Sequence, residues 1–170
     1  TGNILMSQER SHDIRFISDA MLGRLARWLR LLGFDTLYYP HISNGDLLKA
    51  ALREERCLLT RDTHFKNRKR FTNLFFVRSD DPLEQVVEVL DGIGVKPTKP
   101  SRCAQCNGIL GEVPAKESVR DMVPEYVFRT CRSFSQCESC GNVYWEGTHL
   151  KRFKALFDLK QKEYSEGRHH

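Results

Sequence analysis

Two cysteine pairs, RCAQCNGIL at 102–110 and QCESCGNVYW at 136–145, constrain this chain more than any other feature. Two cysteines separated by two residues on a tight turn offer two thiolates to one metal. A glycine follows each pair, Gly108 and Gly141, and permits the backbone conformations such a turn needs. The pairs are separated by the 30 residues 107–136, so together they close a tetrahedral four-thiolate site. Cys103, Cys106, Cys137 and Cys140 are therefore expected to hold Zn2+, in a structural role because a closed tetrahedron leaves no open position for a substrate. Cys131 is the alternative to Cys137 as a ligand but lacks a CxxC partner, and Cys57 begins an apolar run and reads as a core residue.

Upstream of the cysteines, apolar runs and helical patterns alternate. IRFIS (14–18), DTLYY (35–39), RCLLT (56–60) and NLFFV (73–77) read as strands. Between the first two, Leu22, Leu25, Leu29 and Leu32 line one helix face, and Arg24, Arg27 and Arg30 fall opposite, toward water or phosphate. A second helix carries Leu47, Leu48, Ala51 and Leu52, and a third starts at Pro82 with Leu83, Val86, Val87 and Leu90 on its buried side. This alternation predicts an α/β fold, a parallel sheet with flanking helices. GIGVKPTKP (92–100) reads as a linker, giving a sheet unit over 14–97, a zinc ribbon over 98–153 and a C-terminal helix or tail over 154–170.

All strands of a parallel sheet end at one edge, where open α/β folds place their ligands. Asp19 follows the first strand, Asp62 the third, Asp80 and Asp81 the fourth, and Asp46 opens the helix after the second. Each alone is explained as a cap or turn residue, Ser43 and Asp46 forming a variant capping box. Several carboxylates converging at one place repel one another unless a hard cation neutralises them, which points to Mg2+ or Mn2+. The formal net charge is +5, clustered in RLARWLR (24–30) and KNRKR (66–70). Arg61, Lys66, Arg68 and Lys69 with the arginine face make a footprint for a polyanion such as RNA. No apolar run reaches the length of a membrane span, and the chain is expected to be cytoplasmic.

FISDAMLGRLARWLRLLGFDT, DLLKAALREERCLLTRD, RCAQCNG, VPEYVF and CESCGNVYWEGTHLKRF, in this order, resemble the Mut-seven C-terminal ribonuclease domain family over roughly residues 14–153. That family joins a PIN-like (Rossmann-like) nuclease domain to a zinc ribbon. The resemblance implies a metal-dependent endoribonuclease in which Asp19, Asp46 and Asp62 are the acidic ligands for Mg2+ or Mn2+. Asp81, or Asp80 beside it, is the candidate for a fourth acidic position. An inhibitory protein partner is an expectation of the same kind. The competing expectation is a non-catalytic nucleic-acid or protein binding module whose carboxylates are caps. A response-regulator reading wants an acidic pair after the first strand, where SDAML offers one carboxylate.

Overall fold

The computed structural model describes residues 13–67 and 71–167, and for 148–150 the backbone alone. The four upstream runs form strands β1 (Phe16–Ser18), β2 (Thr36–Tyr38), β3 (Cys57–Thr60) and β4 (Leu74–Phe76). They pair in parallel in the order β2-β1-β3-β4, with Ile17 opposite both Leu37 and Leu58. Side chains alternate across a strand, so adjacent residues serve different layers. Phe16 and Leu59 face the core built with helices α1 (Gly23–Leu31) and α3 (Pro82–Ile93), whereas Ile17 and Leu58 face α2 (Asn44–Arg53).

Past the linker, β5 (Leu110–Glu112), β6 (Phe134–Cys137) and β7 (Val143–Trp145) make an antiparallel sheet in that order. A 3-10 turn over Lys116–Met122 and the short helix α4 (Glu125–Thr130) lay Val119 and Val127 on Phe134, giving this sheet a small core of its own. Trp145 packs against that core and Tyr144 places its hydroxyl 3.0 Å from Cys103 Sγ, so both aromatics serve the ribbon itself.

Helix α5 (Thr148–Gly167) then returns to the first sheet. Phe153 and Phe157, four apart and so on one face, are buried in the core of α1 and α3, and Phe153 stacks on Trp28 with centroids 3.8 Å apart. Lys160 reaches Glu84 of α3 at 3.2 Å. The sheet unit is thus completed by the last element of the chain. Among the described residues no helix is long and apolar enough to cross a membrane.

The linker is held against the end of α1. Gly33, with φ +94°, ends that helix, and a Cβ there would lie 2.5 Å from the Lys99 carbonyl oxygen. Only glycine accepts both the left-handed backbone and the close approach. Ser101 Oγ donates to the Leu31 carbonyl at 2.6 Å and the Arg102 N–H to the Arg30 carbonyl at 2.8 Å.

Candidate active site

Thr60 ends β3 at the carboxyl edge of the sheet, fully buried, and its hydroxyl joins two of the acidic residues. Thr60 Oγ1 donates to Asp19 Oδ2 at 2.7 Å and accepts the Asp62 N–H at 3.0 Å. Asp19 itself follows β1 and is 6% exposed, with its N–H bonded to the Leu59 carbonyl. The parallel pairing of β1 with β3 brings these residues side by side. Beyond Asp19, the Tyr38 hydroxyl donates to the Ala20 carbonyl at 2.8 Å and fixes the turn leading into α1.

Asp62 combines a place in this network with a local turn role. Its Oδ1 accepts the His64 N–H at 2.9 Å and lies 2.6 Å from His64 Nδ1, and its Oδ2 accepts Asn44 Nδ2 at 3.0 Å. The His64 backbone and ring bonds, then the Asn44 amide, hold the Asp62 carboxyl below the usual carboxylate range, so it is an anion at neutral pH. Asn44 belongs to the first turn of α2, so the start of that helix sits against Asp62.

Asp46 lies in that same first turn but is turned to its cap. Ser43 Oγ accepts the Asp46 N–H at 3.1 Å, the N-cap bond expected from their spacing, and donates to Asp46 Oδ2 at 2.9 Å, so Asp46 returns a contact to the Ser43 hydroxyl and not to its N–H as in a full capping box. The Asp46 side chain is 68% exposed, with Lys49 Nζ 3.8 Å away. Asp81 is the N-cap of α3, its Oδ1 accepting the Glu84 N–H at 2.9 Å, and Asp80 pairs with Arg61 at 2.5 Å. The structure therefore links Asp19 to Asp62 through Thr60, sets Asp46 on the adjoining helix start, and leaves Asp80 and Asp81 in other pairings. The carboxylates do not form a group with all ligand atoms within 4.8 Å of one another; among the described residues only the cysteines do.

The expected basic residues separate as well. Arg24 and Arg27 are exposed on α1. Arg30, expected beside them on a phosphate-binding face, is instead 5% exposed. Its Nε donates to the Thr36 carbonyl at 2.8 Å and its Nη1 to the Ala104 carbonyl at 2.9 Å, because the linker and first cysteine turn cover the flank of the helix where it lies. Arg61 is one-third exposed and Lys66 Nζ sits 4.0 Å above the Phe76 ring. Arg68 and Lys69 lie outside the described residues.

The four sulfurs of Cys103, Cys106, Cys137 and Cys140 lie within 4.8 Å of one another, with Cys103 Sγ to Cys140 Sγ at 3.6 Å and Cys106 Sγ to Cys137 Sγ at 3.4 Å. A zinc tetrahedron with bonds of about 2.3 Å requires sulfurs about 3.8 Å apart, so this set fits Zn2+ closely. Cys131 stands outside the group and packs at the edge of the ribbon core. Burial raises the Cys137 thiol, but the N–H groups of Cys140 and Ser139 and the neighbouring sulfurs bring it down to about 6, the thiolate a metal needs. Gly141 has φ +79°, as the turn requires. Gly108 has a different reason: a Cβ there would meet Cys137 Sγ at 2.7 Å, and the positive φ of this turn, 69°, falls on Asn107.

Asn107 also ties the cysteine turn to the first sheet. Its Oδ1 accepts the Thr36 N–H at 3.0 Å and its Nδ2 donates to Asp35 Oδ1 at 2.7 Å, where Arg56 Nη1 also binds at 2.7 Å. Thr60, Asn44 and Asn107 carried no distinguishing signal in the sequence, since each is an ordinary turn or strand residue until the strands are paired.

A family model described as the Mut7-C RNAse domain matches residues 14–157. No curated protein matches the chain.

Proposed function

The chain belongs to the Mut7-C RNAse domain family, and on that premise we propose that it hydrolyses RNA phosphodiester bonds as a Mg2+- or Mn2+-dependent endoribonuclease. The observation that carries this reading is the Asp19–Thr60–Asp62 network at the carboxyl edge of the parallel sheet. Caps need no buried carboxylate, and Asp19 is buried without making any side-chain cap bond. Hard carboxylate oxygens suit a hard divalent cation. Asp19 and Asp62 would hold it, joined by Asp46, whose exposed side chain is free to leave Ser43. Such an ion, when bound, makes water a nucleophile at neutral pH and stabilises the leaving oxygen of the phosphodiester.

The protein's own residues supply placement. Thr60 orients the Asp19 carboxylate, and Asn44 with the His64 N–H holds Asp62 as an anion facing the same edge. Arg24, Arg27 and Lys66 bind flanking phosphates, while Arg68 and Lys69 extend the basic segment in sequence. The zinc ribbon, fixed to β2 through Arg30 and Asn107, serves as a rigid extension for RNA or a partner.

The second reading, a binding module without catalysis, draws on Asp81, which caps the start of α3, and on Asp46, which is held by the N-cap residue Ser43 at the start of α2. Incubation of the full chain with a mixed single-stranded RNA pool separates the two. Cleavage is expected with Mg2+ or Mn2+, to stop with EDTA, and to fall at least about 100-fold in Asp62→Asn, the scale of losing one preorganised charge in a polar site. Cleavage indifferent to both the chelator and the substitution contradicts the metal-dependent reading.

A further inference from the structure

The turn after Asp19 and the start of α3 border an open cavity of about 290 Å³ that the reaction described above does not use beyond the phosphate contact of Arg24. We propose that this cavity is a nucleobase subsite for the nucleotide next to the scissile phosphate, with Gln85 as its specificity-determining residue. The proposal rests on the ribonuclease reading for its ligand class and on separate residues for its evidence.

Its walls suit a base. Met21, Leu22 and Pro82 supply apolar surface, with Leu22 buried and Met21 63% exposed at the mouth. Met21 and Leu22 come two and three residues after Asp19, which places the cavity at the acidic edge of the sheet. Arg24, without an ion-pair partner among the described residues, and Arg61, shared with Asp80, line the same cavity and suit the phosphate that a base brings with it.

Gln85 distinguishes this cavity from a chance depression. It is 5% exposed, and its Nε2 donates to the Ser79 carbonyl at 2.9 Å, which fixes the orientation of the amide. Its Oε1 accepts no hydrogen bond among the described residues and keeps some access to solvent, and Gln85 lines the cavity. An acceptor left open on an otherwise buried and fixed amide takes a ligand N–H in place of water. With the amide N–H already committed, the site favours a base that carries an exocyclic amine, adenine, cytosine or guanine, over uracil, which has none and holds its one ring N–H between two carbonyls.

The test is fluorescence anisotropy of the zinc-loaded full chain with 5′-labelled single-stranded tetramers rA4, rC4 and rU4, in buffer without Mg2+ or Mn2+ so that no strand is cut. Binding of rA4 and rC4 is expected to be about tenfold tighter than that of rU4, the size of one hydrogen bond in a desolvated site. Gln85→Leu is expected to bring the three within about twofold. Met21→Ala changes an exposed side chain that cannot unfold the protein, and is expected to weaken rA4 about threefold by removing apolar surface against the base. Equal binding of the three tetramers, no binding of any, a preference that survives Gln85→Leu, or rA4 affinity unchanged in Met21→Ala overturns the subsite. A parallel cleavage assay in Mg2+ separates this from the function: Asp19-dependent cleavage with no base preference sinks the subsite alone. A base preference without Asp19-dependent cleavage sinks the hydrolytic reading alone.

Discussion

Asp35 shows how much of this fold depends on single polar residues. It sits at the end of the sheet opposite the acidic edge, bonded to Arg56 and Asn107, with Arg102 at 4.0 Å. Burial raises its carboxyl, but the Arg56 and Asn107 hydrogen bonds and the two guanidinium charges outweigh that and hold it below the usual range. A folded pKa below the unfolded value means the stabilisation is complete above about pH 4 and is lost as pH falls through the folded value. Asp35→Asn is therefore expected to cost about 2 kcal/mol at neutral pH, the range of a charge-assisted bond. Urea unfolding from pH 7 to 2 should show wild type and variant converging at the acid end; a gap that stays constant contradicts this account of Asp35. Arg30 belongs to the same scale. Its helical position away from the leucines was legible in the sequence, but the return of the chain over that flank was not, because the cover comes from Ala104 and Gln105, 74 and 75 residues away.

At the scale of elements, the four parallel strands and three helices of the first sheet were legible because each is a short apolar run or an amphipathic repeat bounded by turn chemistry. The caps at Ser43 and Asp81 were legible for the same reason: they are local. Helix α5 was only partly so. Phe153 and Phe157 mark one buried face in an otherwise charged stretch, and nothing nearby in the sequence says that this face completes the core of α1 and α3. Phe153→Ala removes a ring stacked on Trp28 and is expected to destabilise the sheet unit by about 3–4 kcal/mol. Thermal unfolding should then shift in the signal of the whole chain. A loss of α5 helicity with an unchanged main transition contradicts the packing role. The acidic edge was legible as a convergence of strand ends, but the Thr60 bridge needs the β1 to β3 register, which is tertiary information.

The whole molecule is two sheets held together through polar contacts around the first cysteine turn. Arg30 of α1 reaches the cysteine turn, and Asn107 and Ser101 reach back from the turn and linker to β2 and α1, so the metal site and the sheet unit share one set of bonds. One zinc per chain is expected by elemental analysis, falling in Cys106→Ser. Its removal by chelator is expected to lower the melting temperature of the entire chain in one transition, since an unliganded turn no longer positions Asn107. A sheet unit that melts at the same temperature with and without zinc contradicts this coupling. Function at this scale depends on what Asp19 does, and the most direct measurement is single-turnover cleavage of a single-stranded RNA in Mg2+ by wild type and Asp19→Asn, with RNA affinity of the zinc-loaded protein measured beside it without added Mg2+ or Mn2+. The account predicts a fall in cleavage rate of at least about 1,000-fold, as for loss of an essential charged group, with affinity changed less than about twofold. Equal cleavage rates, or a loss of rate explained entirely by a loss of binding, would contradict it.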